Sequence, residues 1–351
     1  MAKQPLAEPL AVVAGLRTPF VRAGGPLDSV AAESLLGGVL SELLERSSLA
    51  RGELELLVLS LAAEDALEID GREVLRRSVC SDRIAVRQYL PGSSDDLRAL
   101  EPVVEAMQGG GVGVGALLGA RLHRRGVPER LWWRLWNSIW GLRATLLRVR
   151  AAGGTGFEYR EVLRSYGLAA RAWGEGRFED QVMAVLIPRA AEGVAEGDLQ
   201  KHFQAETMRS FGVAGLVLAT AEQVESRSLR PLGWIRAMAS ERVGAGDAAL
   251  AEFALDVLGG REPSLVEYSE ITGCADALRR GLLASGAEWL GVAGRFNLAG
   301  GSAAFGERGC ATFPRQIIQM LHELGRRGGG VGLCISGGEL STALALEVPG
   351  G

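Results

Sequence analysis

Short apolar runs alternate with amphipathic stretches along the first third of the chain. The runs LAVVAGL, LELLVLSLA and RIAVRQYL predict strands, since each is a compact apolar block bounded by polar residues. Between them, SVAAESLLGGVLSELLERS and GREVLRRSV carry apolar residues at helical spacing. LPGSSDDLRALEPVVEAM predicts a turn that runs into a helix, and GGVGVGALLG predicts a further strand weakened by its glycines. This alternation predicts an α/β fold with helices on the faces of a sheet.

The same order of elements returns in the last third of the chain. LGWIRAMAS, PSLVEYSEI and EWLGVAGR predict strands, and GDAALAEFALDVLGG, CADALRRGLLA and FPRQIIQMLHELGRRGG predict helices. GVGLCISGGELSTALALEV predicts a closing two-strand hairpin. The pattern therefore predicts two copies of one α/β unit, separated by about 90 residues.

The separating segment has a different character. Residues 121–150 contain eight arginines and a single acidic residue, Glu129. Residues 131–149 predict a basic amphipathic helix that carries Trp132, Trp133, Trp136 and Trp140. Such a helix suits either a membrane surface or a protein partner, and these two readings stay open beside a weaker third, contact with the phosphate of a ligand.

Composition narrows the classes of protein. The 351 residues are 47% hydrophobic, which predicts two or more structural units, and a net charge of −4 gives no reason to expect nucleic acid. Cys80, Cys274, Cys310 and Cys334 form no CxxC pair, so neither a zinc site nor a disulfide framework is expected. The sequence shows neither a leader pattern nor a run of about twenty apolar residues, which favours a cytoplasmic protein. Peripheral contact with a membrane remains the open alternative.

Four motifs occur in one order and spacing. RTPFVRAGG (17–25) is similar to RTPxGxxGG, and FNLAGGSAAFGERG (296–309) is similar to VNxxGGAIAxGHPxG. LCISGG (333–338) is similar to LCxGGG, and YREVLRSYGLAARAWGEGRFEDQV (159–182) is similar to a loop-domain helix. These are signatures of the thiolase family, which the chain resembles from near its start to its last strand.

The resemblance implies a five-layer αβαβα thiolase fold with two repeated βαβαβαββ halves. It implies a first half at residues 1–112 plus 206–230, an inserted loop domain at 113–205 and a second half at 231–351. Thiolases are dimers or tetramers that transfer acyl groups between coenzyme A thioesters, with formation or cleavage of a carbon–carbon bond. A coenzyme A thioester is therefore the implied substrate or ligand, with no other cofactor and no metal.

The same resemblance assigns the site residues. It places Ser93 at the nucleophilic cysteine, Glu307 at the catalytic histidine, Ser269 at an asparagine and Cys334 at the second cysteine. A glycine-rich stretch that lines the family's site is missing before GLVLATAEQ. The three histidines, His123, His202 and His322, lie outside every matched motif position.

Two readings remain for the substituted positions. Ser93 is either a nucleophile with Glu307 as its base, or part of a helix cap in which Ser93 or Ser94 caps and the two following aspartates favour the helix dipole. The cap is favoured, because a hydroxyl is much harder to ionise than a thiol and a carboxylate at Glu307 opposes a developing oxyanion. Cys334 is either a proton-transfer thiol or a core residue, and the core reading is favoured.

These observations predict a thiolase-like protein that has lost thiolase chemistry. We expect a non-catalytic or regulatory subunit, in a homodimer or in a heteromer with an active thiolase. The alternatives are a divergent acyltransferase that uses Ser93 or Cys334, and a membrane-surface or partner-binding protein that uses the tryptophan helix. The fold is expected to bring Ser93, Glu307 and Cys334 into one pocket.

Overall fold

The computed structural model describes residues 4–22, 26–61, 69–81, 83–89, 99–122, 167–183, 210–241, 253, 255–270, 296–301, 305, 310–337 and 341–350. The strands are β1 Gln4–Arg17, β2 Val21–Arg22, β3 Leu56–Leu61, β4 Ala85–Tyr89, β5 Val114–Arg121, β6 Ser210–Ala219, β7 Gly233–Glu241, β8 Leu265–Glu270, β9 Gly330–Gly337 and β10 Ser341–Val348. The helices are α1 Ala32–Ser47, α2 Gly71–Arg77, α3 Glu101–Gln108, α4 Ala221–Ser226 and α5 Thr312–Arg326, with a 3-10 turn at Pro26–Ser29. Residues 167–174 are also helical.

The strands form one mixed sheet in the order β4-β3-β5-β6-β1-β7-β10-β9-β8, and β2 pairs with β6. β3 lies parallel to β4 and β5, and β8 lies parallel to β9; the other pairs are antiparallel. β6 lies between β5 and β1, so the chain returns to the first half after the segment predicted as an insertion. The division of the chain into two halves and an inserted loop domain stays a prediction.

β1 joins the two halves of the sheet. Its residues 11–17 pair with β6, whereas residues 4–12 pair with β7, and the register with β7 shifts between Pro5 and Leu10. The other three described strands of the second half, β10, β9 and β8, follow β7 in the sheet. The fifth strand predicted there, at residues 288–295, lies outside the described residues.

Side chains alternate between the two faces of each strand and so divide the core into layers. Leu10 and Val12 of β1 face a central apolar cluster with α3 and α5, whereas Ala11 and Val13 face a second cluster with α1 and α2. On β9, Cys334 faces the central cluster, and its two neighbours face a third cluster that contains Phe253. One helical layer thus lies between the two halves of the sheet, and one lies on the outer face of each half. This is the five-layer αβαβα arrangement.

The central helix α5 packs directly onto glycines of four strands. A Cβ atom built on Gly119 of β5 would lie 1.8 Å from the Cys310 carbonyl oxygen, just before α5 begins. Equivalent atoms on three further glycines would lie 2.9 Å from Ile318 Cγ1, 2.6 Å from Leu321 Cδ2 and 2.5 Å from Met320 Sδ; these glycines are Gly15, Gly233 and Gly332. Real Cβ atoms do not approach so closely. A side chain at Gly119 would therefore displace the backbone before α5, and side chains at the other three positions would force the facing side chains of α5 to shift.

The elements predicted from the sequence within the described residues are present. β3, β4, β7 and the β9–β10 hairpin confirm the predicted strands, and α1, α2 and α3 confirm the predicted helices. α5 ends at Arg326, earlier than the predicted 329, because Gly328 and Gly329 take positive φ values of 84° and 111°. None of the described helices has both the length and the apolarity needed to cross a membrane.

Substitution of Gly119 by Ala tests the seating of α5. We expect it to lower the free energy of unfolding by about 3 kcal/mol, because the new methyl group would occupy the position of the Cys310 carbonyl. Gly38→Ala is the matched control. Gly38 lies on the exposed face of α1, where a Cβ meets nothing within 4 Å. Its replacement by Ala should therefore raise the free energy of unfolding, by about 1 kcal/mol at most. Urea unfolding of both variants gives the two values, and equal effects would contradict the packing described here.

Candidate active site

Five residues pair one to the next across the first half of the sheet. Tyr89 of β4 pairs with Ser60, Ser60 pairs with Gly119 of β5, and Gly119 pairs with Ala214. Ala214 in turn pairs with Arg17 at the end of β1. Paired residues point to the same face, and Ala214 belongs to the central cluster, so this strand-end row faces the central layer. The row lies at the carboxyl ends of the parallel strands β3, β4 and β5, where ligands bind in open α/β sheets.

Described residues that flank two predicted site residues lie on or against this strand-end row. Tyr89 belongs to the row and precedes Ser93 by four residues. On the other side, Cys310 has its carbonyl oxygen against Gly119, and the Phe305 ring lies 5.3 Å from the Arg17 guanidinium carbon. Ser93, the cap predicted around it and Glu307 themselves lie outside the described residues.

Arg17 is completely buried at the end of the row. Its guanidinium carbon lies 5.7, 5.1 and 5.3 Å from the ring centroids of Phe20, Phe178 and Phe305. Its Nε donates to Gln181 Oε1 at 3.5 Å. Cations are attracted to the faces of aromatic rings, and three rings from separate parts of the chain share this one cation. The arginine of the RTP motif therefore joins β1, residues 167–183 and the segment before α5.

A second buried arginine lies beside it. Arg315 of α5 has its guanidinium carbon 5.1 Å from the Phe305 centroid, and its Nη1 donates to Gln319 Oε1 at 3.2 Å. Burial, followed by the positive charge of Arg315, lowers the pKa of Arg17 to about 9. Phe305 also packs edge-on against Phe178 at 5.7 Å. We call Arg17, Arg315, Phe20, Phe178 and Phe305 the arginine cage.

Residues 177–183 attach to the core around the cage. The backbone NH of Arg17 donates to Gln181 O, and the NH of Met183 donates to Arg17 O, each at 2.9 Å. Arg46 at the end of α1 donates from Nη1 to Asp180 O at 2.7 Å. Arg177 lies 3.7 Å from the Glu323 carboxylate of α5. The segment is thus held to β1, α1 and α5 by separate contacts.

The second half of the sheet places the remaining predicted site residues. Cys334 is completely buried on β9, facing the central cluster with α5. Ser269 of β8 pairs in parallel with Ser336 of β9, beyond Cys334 toward the strand ends. The prediction that Cys334 shares a pocket with Ser93 stays a prediction. Cys310 is buried as well, at a position where its backbone carbonyl, rather than its thiol, fits against the sheet.

Several residues of the site were not singled out from the sequence. Phe178, Phe305, Arg315 and Gln181 meet Arg17 only in the folded chain, since they come from segments far apart in sequence. Phe178 and Phe305 lie inside two of the motifs shared with thiolases, and this position was the only sequence feature that could have indicated their place in the site. Among the described residues, no group of three or more His, Cys, Asp or Glu side chains is placed to hold a metal ion.

His322 lies on the polar side of α5, near the attached segment. Its Nε2 is buried without a hydrogen-bond partner, and burial lowers its pKa from 6.5 to about 4. The negative charge of Asp180 raises this pKa, and the positive charges of Arg326, Arg46 and Arg17 lower it; the value of about 4 includes all of these effects. The ring is therefore neutral near pH 7. The tryptophan helix and the other two histidines lie outside the described residues.

The chain is similar in sequence to bacterial 3-ketoacyl-CoA thiolases. It is 28% identical to the enzyme of Enterobacter sp. (strain 638) over 96% of each chain. It is 29% identical to that of Pectobacterium carotovorum subsp. carotovorum (strain PC1) over 97% of this chain and 96% of the relative. No protein-family model matches the sequence.

Solved thiolase structures share the fold. The Acat5 thiolase from Ascaris suum in complex with coenzyme A has a TM-score of 0.72 at 19% identity, covering 97% of this chain and 100% of that one. The acetyl-CoA acetyltransferase of Bacillus anthracis has a TM-score of 0.72 at 20% identity, over 98% of this chain and 100% of that one. Human mitochondrial 3-ketoacyl-CoA thiolase has a TM-score of 0.70 at 17% identity, covering 97% and 99% of the two chains.

The depressed pKa of His322 predicts a loss of stability in mild acid. The folded pKa is about 4 and the unfolded value is 6.5, so the unfolded chain binds more protons between these values. The stability carried by the neutral ring is present above pH 6.5 and falls as the pH drops toward 4. After discounting for partial exposure, the loss between pH 7 and pH 5 should be on the order of 1 kcal/mol. Urea unfolding at both pH values should show this difference reduced in His322→Leu, and an unchanged difference would exclude His322 as its source.

Proposed function

Because the chain is similar in sequence to 3-ketoacyl-CoA thiolases over nearly its whole length and shares the thiolase fold, we propose that it is a thiolase-fold subunit without thiolase activity of its own, which assembles with an active thiolase-type enzyme. The strand-end row carries this proposal. The segments that contain the nucleophile position and the histidine position both leave from this row, and neither position has a reactive group of the family's type. The row itself offers Tyr89, Ser60 and Arg17, none of which is a thiol or a base near neutral pH.

The physical argument concerns the first chemical step. A thiol near a helix N-terminus and cations ionises near neutral pH, whereas a serine hydroxyl needs a base to remove its proton. Glu307 at the histidine position adds a negative charge where the tetrahedral intermediate develops its own. Acyl transfer is therefore opposed at both positions, and Cys334, which keeps the family's residue type, is fully buried.

The family fold favours assembly as the retained role. The arginine cage, the glycine contacts of α5 and the continuous sheet all maintain the thiolase architecture. Under this proposal the chain occupies one subunit position of a heteromer, or forms a homodimer, and it binds coenzyme A thioesters without converting them. The alternative is a divergent acyltransferase that uses Ser93 or Cys334, and it differs in requiring turnover by the isolated chain.

The first experiment measures cleavage of acetoacetyl-CoA and longer 3-ketoacyl-CoA thioesters by the purified chain. We expect turnover to be lower than that of an ordinary thiolase by roughly a thousandfold or more, because loss of a nucleophile and its base removes rate factors of that size. Ser93→Ala and Cys334→Ala should leave any residual rate unchanged. Turnover within about tenfold of an ordinary thiolase, abolished by either substitution, would establish the acyltransferase instead.

A second experiment concerns the tryptophan helix predicted at residues 131–149. Tryptophan and arginine side chains favour a lipid–water boundary or a protein partner. The triple substitution of Trp132, Trp136 and Trp140 by Ser should leave folding intact and weaken either binding to anionic vesicles or co-purification with an active thiolase. If the triple variant unfolds and parental tryptophan fluorescence reports full burial, the helix belongs to the core.

A further inference from the structure

Gln316 of α5 is a buried amide without hydrogen bonds. Its side chain has no exposed surface, and neither Oε1 nor Nε2 has a hydrogen-bond partner. One turn further along the helix, Gln319 is also buried, but its Oε1 accepts from Arg315 Nη1 at 3.2 Å. An unpaired buried amide costs several times what a made hydrogen bond contributes, so such groups in native proteins have a specific reason.

The register between α5 and β9 shows what lies beside this amide. α5 runs antiparallel to β9 across the short connection at 327–329. Leu324 lies against Gly330 at 3.6 Å, and Met320 lies against Gly332 at 2.5 Å, both measured to a built Cβ atom. Four residues of helix and two residues of strand span similar lengths, about 6 and 6.6 Å. The next positions along this register are Gln316 and Cys334.

We propose that Gln316 lies beside Cys334 and that its Nε2 donates a hydrogen bond to the carbonyl oxygen of an acyl thioester bound there. The proposal rests on the proposed function, which makes coenzyme A thioesters the ligands, and it adds the residue that reads the acyl carbonyl. The interaction is a binding contact, in which no covalent bond forms or breaks.

The chemistry of the two groups is complementary. A thioester carbonyl supplies an acceptor and no proton, whereas the buried amide supplies an NH₂ donor that nothing else occupies. Met320 and Leu324 occupy the next two turns on the same side of α5. An apolar side chain of that kind at position 316 would avoid the cost of burying an unpaired donor. Burial of both Gln316 and Cys334 also excludes water, which strengthens a hydrogen bond formed there.

The test compares two ligands on the full chain. Acetyl-CoA carries the thioester carbonyl, and S-ethyl-CoA, a thioether of similar size, lacks it. Calorimetric titration should show that the parent binds acetyl-CoA more tightly by about tenfold, as one buried hydrogen bond allows. In Gln316→Met this preference should disappear, because the donor is gone while the side-chain volume is similar.

Thermal unfolding of the ligand-free chain supplies the second readout. Gln316→Met should raise the melting temperature by several degrees, since it removes an unpaired buried amide. The matched control Gln319→Met should lower it, because that change removes one hydrogen-bond acceptor of Arg315. A merely structural role for Gln316 predicts a lower melting temperature for both variants.

Each remaining outcome overturns the proposal. A melting temperature that falls, or a failure of Gln316→Met to fold, would mean that the amide is already satisfied. An equal preference for acetyl-CoA in the parent and in Gln316→Met would mean that the carbonyl is read elsewhere. Absence of binding of both ligands to the parent would remove the site, while the cleavage assay decides independently whether the chain lacks thiolase activity.

Discussion

The seating of α5 between the two halves of the sheet is the constraint on which the rest of the structure depends. Glycines on β5, β1, β7 and β9 bring helix atoms to where their own Cβ atoms would be. The contact fixes where Cys310 meets the strand-end row, and it carries Arg315 to the Phe305 ring. It also aligns the ridge of α5 with the central face of β9. Close packing of α5 against the strands, in addition to polar contacts, therefore determines the geometry of the candidate site.

The arginine cage is the second organising feature. Burial of two guanidinium groups is costly, yet the cage lets Arg17 contact three rings and the Gln181 amide at once. Because the rings come from three segments, the cage couples residues 167–183 to the strand end and to the segment before α5. The arginine of the RTP motif thus has a structural purpose in this chain.

The sequence predicted the fold well because the relevant signals were local or carried by motifs. Periodic apolar residues located β3, α1 and the β9–β10 hairpin, and four motifs indicated the resemblance to thiolases, to which the chain is similar over 96% of its length. Glycine in GGVGVGALLG was read as a weakness of a strand, whereas Gly119 is the point of closest approach to α5. Gln316 was simply part of an amphipathic helix. Neither role follows from spacing along the chain, because both depend on which element lies opposite in the folded protein.

The central claim is that this chain keeps the thiolase architecture while forming no acyl intermediate. Intact-mass spectrometry of the purified protein after incubation with acetyl-CoA tests this claim most directly, because an acylated thiol or hydroxyl adds the mass of one acetyl group. The account predicts an unchanged mass, together with reversible binding of acetyl-CoA. A stoichiometric acetyl adduct that maps to Ser93 or Cys334 would contradict it.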